Sequence, residues 1–305
     1  EIYMGDWSSD VCSSDLSAVM SVVPAKIAGV KKIIVVTPPN KQGKIDPLVL
    51  VAADICGADM IFKVGGAHAI AALAVGTKSI PQVDKIVGPG GSFVTAAKYL
   101  VTDIVSIDML AGPTELAILA DDSSDPKLVA LDLISQAEHS SDTKCCLITT
   151  SKTLANKVVN EIKKSIPNLQ RRQIIKSSLQ KNGFVALCDK MSDAILLANK
   201  LAPEHLEILT KKPDEASRQI KTAGLVLLGK NTPSAASDYL LGTNHILPTD
   251  RFGRARGSLS VLDYIKIQTT AESSRQALQK IRKHLKALTE SENLPNHYNA
   301  VRGRL

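Results

Sequence analysis

The sequence is poor in aromatic residues, which make up 3% of its 305 residues. That scarcity argues against a stacking surface for single-stranded nucleic acid, which needs aromatic rings beneath successive bases. No apolar run approaches the roughly 18–20 residues that a membrane-spanning helix requires. The chain also lacks a CxxC pair and a GxGxxG turn after any strand-like run. It therefore offers neither a common redox or zinc motif nor the dinucleotide-binding fingerprint.

The positive charge is not concentrated in one segment. The formal net charge is +7, and the densest basic runs lie at residues 251–256 and 280–286. Scattered lysines and arginines are typical of a solvated face, and a basic surface suits acidic small molecules as well as nucleic acid. We expect a small-molecule partner, with no nucleic acid and no membrane.

The cysteines show no disulfide framework. An odd number without regular spacing indicates a reducing compartment, the cytoplasm, with inert and buried thiols. The five cysteines are Cys12, Cys56, Cys145, Cys146 and Cys188.

Residues 1–16 differ in character from the rest of the chain. They repeat the element SSD, contain the only tryptophan and show no apolar periodicity. They also lack the charged start and apolar middle of a signal peptide. The segment resembles translated adapter sequence, so we predict a foreign leader and leave it out of the fold. The native protein is then expected to begin before Ser17.

From residue 17 onward, short apolar strands alternate with helical patterns. This alternation predicts parallel sheets covered by helices on both faces, that is, two doubly wound Rossmann-like α/β units. We place the first unit at residues 17–110 and the second at residues 111–265. Residues 266–305 are predicted to form a polar helix at about 270–290, followed by a short irregular tail.

Two glycine-rich turns follow predicted strands of the first unit. They are "KVGGAHA" and "VGPGGS", and each leads into a helix. Backbone N–H groups at such a helix start can hold a phosphate, but parallel α/β proteins also use glycine turns simply to reverse direction. Alone, these turns do not identify a ligand.

The stretch "LISQAEHSSD" places Gln136 and His139 three residues apart at the end of a predicted helix. Residues at that spacing leave one face of a helix. A polar, solvated helix end is one interpretation. The other includes Asp238 and His297, which would complete a set of two nitrogen and two oxygen donors suited to Zn²⁺. The sequence spacing of these four residues does not decide between the interpretations.

At these residues the chain resembles the histidinol dehydrogenase family. The matching stretches follow the family's order from about residue 17 to the C-terminus: "PAKIAGVKK", "VGGAHAIAALAVGT", "VDKIVGPG", "LAGPTELAILAD", "SQAEH", "LAPEHLEIL", "SDYLLGTNHILPT" and "NAVR". The combination of "SQAEH", "APEHLE" and "GTNH" is highly specific. The family's N-terminal portion has no counterpart here.

The resemblance implies a role for each matching residue. It makes Glu204 and His205 the acid–base pair, and it adds Thr114 and Glu292 to the substrate contacts together with His205 and the metal ligands. It implies one Zn²⁺ per subunit, held by Gln136, His139, Asp238 and His297.

The family reaction oxidises L-histidinol through L-histidinaldehyde to L-histidine and consumes two NAD⁺. A neutral imidazole at His205 would accept the alcohol proton near pH 7, and Glu204 would activate water for the aldehyde step. The family forms homodimers in which the C-terminal tail completes the partner's site. We therefore expect His297 and Glu292 to serve a neighbouring subunit.

Two positions depart from the family pattern, and both belong to its NAD contacts on the first unit. His68 stands where glutamine is common, and Gly91 stands where asparagine is common. Imidazole can replace an amide as a donor, whereas glycine has no side chain with which to do so. Two alternatives therefore remain beside the dehydrogenase. One is a zinc- and histidinol-binding fragment that cannot turn over, and the other is a zinc hydrolase that uses Glu204.

Overall fold

The structure, a computed structural model, describes residues 2–4 and 14–305. Most of the predicted foreign leader, residues 1 and 5–13, lies outside the described residues. Ile2–Met4, however, forms a strand of the first sheet. Leaving these residues out of the fold was therefore wrong, because three residues are too short to show the periodicity on which the sequence analysis relied.

The first sheet is parallel and has the strand order β3-β2-β1-β4-β5. Its strands are β1 (Ile2–Met4), β2 (Ile33–Val36), β3 (Met60–Phe62), β4 (Lys85–Val87) and β5 (Ser106–Ile107). The helices that belong to it are α1 (Ser14–Ile27), α2 (Pro47–Cys56), α3 (Gly66–Val75) and α4 (Ser92–Leu100). All four residues of β2 are buried, as expected for a strand with helices on both faces.

The second sheet is also parallel and has the order β10-β9-β6-β7-β8. Its strands are β6 (Glu115–Ala120), β7 (Lys144–Thr149), β8 (Phe184–Leu187), β9 (His205–Leu209) and β10 (Leu225–Leu228). Its helices are α5 (Pro126–Ala137), α6 (Lys152–Ser165), α7 (Arg172–Lys181), α8 (Met191–Leu201), α9 (Pro213–Ser217) and α10 (Ser234–Ser237). Two parallel Rossmann-like sheets confirm the predicted fold class.

Alternate residues of β6 and β9 enter different hydrophobic cores. Leu116, Ile118 and Leu209 pack with α5, whereas Leu206 and Ile208 pack on the other face with α8. Because side chains alternate along a strand, His205 and Glu207 share the face of Leu209. Both therefore point toward α5, the helix that carries Gln136.

The two sheets are joined by a short connection. Only residues 108–114 lie between the end of β5 and the start of β6, so the carboxyl edge of the first sheet leads to the amino edge of the second. The two glycine-rich turns follow β3 and β4 at that carboxyl edge. His205 begins β9 at the amino edge. The connection therefore leads from the strand ends that carry the glycine turns to the strand starts of the second sheet, where His205 lies.

A buried ion pair fixes the second glycine turn. Lys98 of α4 is 2% exposed, and its ammonium pairs with the carboxylate of Asp108. The Lys98 ammonium also donates to the carbonyl oxygen of Gly88 at 2.9 Å, while Asp108 Oδ2 accepts from Gly88 N–H at 2.7 Å. Both backbone groups of Gly88 are thus satisfied, and this glycine adopts φ +112°, a left-handed value that disfavours other residues.

Residues 266–305 form a separate compact unit. It contains α11 (Arg275–Ser291) and α12 (Pro295–Arg302). The predicted polar helix is therefore present, but the prediction of an irregular tail was wrong. Pro295 lies in the first turn of α12, where its fixed φ favours a helix start and its missing N–H is not needed. In the described part of the chain, no helix combines the length and the apolar character needed to cross a membrane.

Candidate active site

The end of α5 presents the first two candidate ligands. Asp125 caps the helix start by accepting from Lys127 N–H at 2.8 Å, and Pro126 follows it. The helix ends at Ala137, and the N–H of His139 donates to the carbonyl oxygen of Gln136 at 3.2 Å. His139 thus lies just beyond the helix rather than in its last turn. The closing turn still keeps the two residues together.

Asp238 lies next to both histidines of the region. It follows the short helix α10, where its N–H donates to the carbonyl oxygen of Ser234 at 3.2 Å. Its Oδ2 lies 4.0 Å from His139 Nε2, and its Oδ1 lies 3.4 Å from His205 Nε2. The structure therefore brings three predicted site residues from α5, β9 and the end of α10 to one place.

His205 and Glu204 are buried together at the start of β9. His205 is 2% exposed, and its Nδ1 lies 3.7 Å from Glu204 Oε2. The Glu204 Oε2 in turn accepts from the backbone N–H of Glu115 at 2.9 Å. Neither ring nitrogen of His205 has a well-aligned hydrogen-bond partner among the described residues. The flanking carboxylates are thus ion-pair neighbours of the ring, not hydrogen-bond acceptors that already occupy it.

The two histidines have opposite pKa shifts. Burial lowers the pKa of His139, an effect that the Asp238 carboxylate only partly offsets. Burial also lowers the pKa of His205, but the carboxylates of Glu204 and Asp238 outweigh burial and raise it to about 10. The described side chains alone therefore do not favour the neutral His205 near pH 7 that we expected.

A second group of buried polar residues adjoins the site. Glu207 is fully buried, and its Oε1 accepts from Ser234 N–H at 2.6 Å. The hydroxyl of Ser234 lies 3.3 Å from Gln136 Oε1. Asp132, one turn before Gln136 on α5, is a neighbouring carboxyl whose charge acts on Glu207. The sequence analysis missed this group, although Asp132 and Glu207 stand four residues before Gln136 and two residues after His205.

The two carboxyls of this group have pKa values above the usual range for carboxyls. Burial raises the pKa of Glu207 to about 8, and the nearby charge of Asp132 adds to that shift. Burial likewise raises the pKa of Asp132 to about 6. Both shifts favour a protonated carboxyl over two ionised carboxylates in this buried group.

The remaining candidates are placed less directly. Thr114 is half-buried just before β6, and its carbonyl oxygen accepts from Lys144 N–H at 2.9 Å. Glu292 follows α11 and His297 lies on α12, and both are exposed. Among the described residues, no group of three or more histidine, cysteine, aspartate or glutamate side chains is arranged to hold a metal ion. Of the four predicted ligands, Gln136 is an amide and His297 belongs to the C-terminal unit. His139 and Asp238 are the two that are histidine or aspartate and belong to the unit ending at Ile265.

The NAD candidates lie at the glycine turns. His68 is exposed in the first turn of α3, and Gly91 is the residue that precedes α4. Neither helix start is capped by a side chain, since Gly65 and Gly91 occupy the cap positions. Such helix starts favour an anionic group such as a pyrophosphate.

The remaining polar candidates have structural explanations. His245 Nδ1 lies 2.9 Å from the carbonyl oxygen of Asp238, and its Nε2 lies 2.7 Å from Ser17 Oγ. This histidine therefore ties the loop after α10 to α1. The described cysteines are unpaired, and burial raises the pKa of Cys146 to about 12. Cys145 and Cys146 are buried as predicted, whereas Cys56 and Cys188 are only half-buried and Cys12 lies outside the described residues.

The comparisons with known proteins give first the class of protein and then the family. The family match and the fold of two Rossmann-like sheets make the chain an oxidoreductase. A family model described as histidinol dehydrogenase matches residues 10–305. The chain therefore belongs to the histidinol dehydrogenase family, which oxidises histidinol in histidine biosynthesis, and the resemblance seen in the sequence is confirmed.

Individual relatives agree with this membership. The chain is 47% identical over 288 residues to the histidinol dehydrogenase of Clostridium acetobutylicum, a match that covers 94% of this chain and 67% of that protein. It is 42% identical to the enzyme of the archaeon Methanosarcina barkeri, with 94% and 66% covered. The chain thus spans about two thirds of the length of these relatives.

Solved structures extend the comparison to the fold. The crystal structure of histidinol dehydrogenase from Elizabethkingia anophelis matches with a TM-score of 0.92 and 34% identity, covering 99% of this chain and 70% of that chain. An acetylating aldehyde dehydrogenase from Geobacillus thermoglucosidasius matches with a TM-score of 0.54 and 13% identity, covering 89% and 76%. The second likeness is one of fold alone.

The raised pKa of Glu207 predicts a stability that depends on pH. The folded state binds this proton more tightly than the unfolded state, so the stabilisation is complete below the unfolded pKa and is lost as pH rises through about 8. Between pH 5.5 and 8, Glu207→Gln should make the free energy of unfolding less pH-dependent by about 1 kcal/mol per pH unit. Urea unfolding at several pH values measures this slope. The exposed Glu215→Gln should leave the slope unchanged, and equal slopes for the two variants would contradict the assignment.

Proposed function

We propose that the chain catalyses the zinc-dependent, NAD-linked oxidation of L-histidinol through L-histidinaldehyde to L-histidine. The observation that carries the proposal is the convergence of Gln136, His139 and Asp238 on the buried Glu204–His205 pair. Asp238 carboxylate oxygens lie within 4.0 Å of the rings of His139 and His205. The proposal places the activity in the cytoplasm, in keeping with the unpaired cysteines.

The side chains present fit a zinc ion. Two ligand atoms bonded to one zinc at about 2.0–2.2 Å lie at most about 4.4 Å apart. The 4.0 Å between His139 Nε2 and Asp238 Oδ2 is within that reach. Burial lowers the pKa of His139, which keeps its imidazole neutral as a ligand must be. Gln136 adds a buried amide with an unpartnered polar atom, and His297 would supply the fourth donor.

Zinc, when bound by these residues, would orient the amine and imidazole of histidinol and polarise the reacting centre. A divalent cation held by Asp238 would also offset one of the two carboxylate charges that raise the pKa of His205. That change favours the neutral imidazole which a general base needs.

The proposal keeps the acid–base roles that the family resemblance implies for the two buried residues. His205 takes the proton of the substrate alcohol when the first hydride leaves. Glu204, held by the Glu115 N–H, removes a proton from the water that adds to the aldehyde. A carboxylate at Glu292 would pair with the cationic amine of the substrate. Thr114, just before β6, completes the substrate contacts.

NAD, when bound, would supply the acceptor for both hydrides, two molecules for each histidine formed. The uncapped starts of α3 and α4 are the elements that would hold its phosphates, with His68 and Gly91 at the positions of the family's contacts. Open parallel sheets usually bind a dinucleotide at helix starts that follow the carboxyl ends of the strands.

The zinc assignment is tested by a pair of histidine variants. Purified protein should contain about one Zn²⁺ per chain, lost to chelators, and should form NADH with histidinol. His139→Ala should lower both zinc content and turnover, whereas His284→Ala, on an exposed turn of α11, should change neither. Equal zinc content in the two variants would contradict the ligand set. Histidinol binding without NADH formation would favour the binding fragment, and hydrolysis without NADH would favour the hydrolase.

The role of Glu204 predicts a difference between the half-reactions. Glu204→Gln should slow oxidation of the aldehyde by about 10²–10⁴-fold and the alcohol step much less, because only the aldehyde step must activate water. His205→Asn should impair both. Rates measured separately with histidinol and with histidinaldehyde make the comparison. An unchanged aldehyde rate in Glu204→Gln would remove Glu204 from the role of base.

We also propose a homodimer in which each C-terminal unit completes the partner's site. The helix α11 has an apolar stripe at helical spacing that includes Ile281, 46% exposed, and Leu288, 63% exposed. Such a stripe needs a surface to cover it. A two-fold dimer with exchanged C-terminal units would form two equivalent shared sites, each with His297 and Glu292 from the other chain.

Subunit mixing tests the exchanged arrangement. His139→Ala and His297→Ala subunits should each be inactive alone. In a heterodimer with shared sites, one site inherits both defects and the other neither, so about half of each heterodimer's activity should return. Activity after confirmed subunit exchange is the measurement. No recovery would show that each site is built within one chain.

A further inference from the structure

We propose that Glu207 is a positioning residue which, through Ser234, turns the Gln136 amide so that its oxygen faces the ligand position. The proposal rests on the proposed zinc site and adds to it the residues that set the orientation of one ligand. It starts from a buried atom without a partner, the Nε2 of Gln136.

The orientation of the Gln136 amide decides whether this side chain can bind a cation. With Oε1 beside the Ser234 hydroxyl at 3.3 Å, the amide NH₂ is left buried and unpaired. An NH₂ group has no lone pair to give a metal, and a buried donor without an acceptor is rarer than a buried carbonyl with a spare lone pair. Rotation of the amide by 180° lets Nε2–H donate to Ser234 Oγ. The oxygen then occupies the position where a partner is lacking.

Ser234 can accept from Gln136 only if its own proton points elsewhere. Glu207 is placed to provide that acceptor, since its Oε1 already accepts from the Ser234 N–H at 2.6 Å and a rotated Ser234 hydroxyl would donate to the same carboxyl. The chain of donors then runs in one direction, from the Gln136 amide to Ser234 and from Ser234 to Glu207.

Asp132 completes the chain at its far end. Glu207 Oε2 has no hydrogen-bond partner among the described residues, and Asp132 is the carboxyl whose charge acts on Glu207. One proton between the two carboxyls satisfies that oxygen. Glutamine is therefore the closest mimic of Glu207 in this state, because its carbonyl can accept from Ser234 while its NH₂ donates to Asp132. Leucine fills a similar volume but offers no acceptor.

The experiment compares Glu207→Gln, Glu207→Leu and Ser234→Ala, with Ser178→Ala as the control for loss of a buried serine hydroxyl away from the site. Zinc affinity is measured in the full-length chain by competition with a chromophoric chelator. The second readout is the Gln136 side-chain amide resonance pair in ¹H–¹⁵N spectra, assigned by its loss in Gln136→Ala. This readout does not require zinc, and far-UV circular dichroism checks folding.

We expect Glu207→Leu and Ser234→Ala to weaken zinc binding about 10–100-fold, as loss of a residue that orients a ligand does. Both should shift the Gln136 amide resonances. Glu207→Gln and Ser178→Ala should stay within about threefold of the parent, with the amide resonances in place. If Glu207→Leu does not fold, Ser234→Ala decides.

Two results would overturn the inference. One is parent-like zinc affinity and unchanged amide resonances in folded Glu207→Leu or Ser234→Ala. The other is a Glu207→Gln variant as impaired as Glu207→Leu, which would show that an ionised carboxylate is required. A parent protein that binds no zinc would refute the proposed zinc site, and the amide resonances would then decide the orientation by themselves.

Discussion

Buried negative charge at the amino edge of the second sheet is the constraint on which the site depends. His205 has Glu204 and Asp238 carboxylate oxygens within 3.7 Å, and Glu207 follows it by two residues on β9. Glu204 and Glu207 are almost inaccessible to water. An isolated carboxylate in such a place is strongly disfavoured. Each carboxyl therefore has its own polar neighbours: Glu204 accepts from a backbone N–H and lies beside an imidazole, Glu207 accepts from the Ser234 N–H, and Asp238 lies beside two histidines.

The alternation of side chains along β9 determines which of these groups face α5. His205 and Glu207 lie on the face of β9 that meets α5, and α5 presents Asp132 and Gln136 one turn apart. Residues four apart on a helix lie one above the other. One strand face and one helix face thus form two adjacent polar layers within an apolar core. One layer holds His205 and Gln136, and the other holds Glu207 and Asp132.

The sequence predicted much of this arrangement. Short apolar strands alternating with helical patterns predicted the two parallel sheets, and both are present. The strand Ile2–Met4 and the helix α12 were missed, because three residues and an isolated proline-led turn carry too little periodicity. Family resemblance selected Gln136, His139, Glu204, His205 and Asp238, and the fold brings these five together.

Asp132, Glu207 and Ser234 could not be predicted in the same way. Each is a common residue type in an ordinary pattern, and an acidic residue on an amphipathic helix is usually solvated. Their importance depends on contacts between α5, β9 and α10, which are distant in sequence. The fully buried Glu207 was the available signal, since a charged residue inside an otherwise apolar strand demands a partner.

The choice of sheet edge has a functional consequence. Ligands of open parallel sheets usually bind at the carboxyl ends of the strands, and the glycine turns after β3 and β4 follow that rule. His205 and Glu204 instead lie at the amino end of β9. The short connection at residues 108–114 makes this possible, because it leads from the carboxyl edge of one sheet directly to the amino edge of the other. Asp108, which fixes the turn at Gly88, is the first residue of that connection. One segment therefore both fixes the glycine turn before α4 and leads to the start of β6, whose first residue holds Glu204 through its N–H.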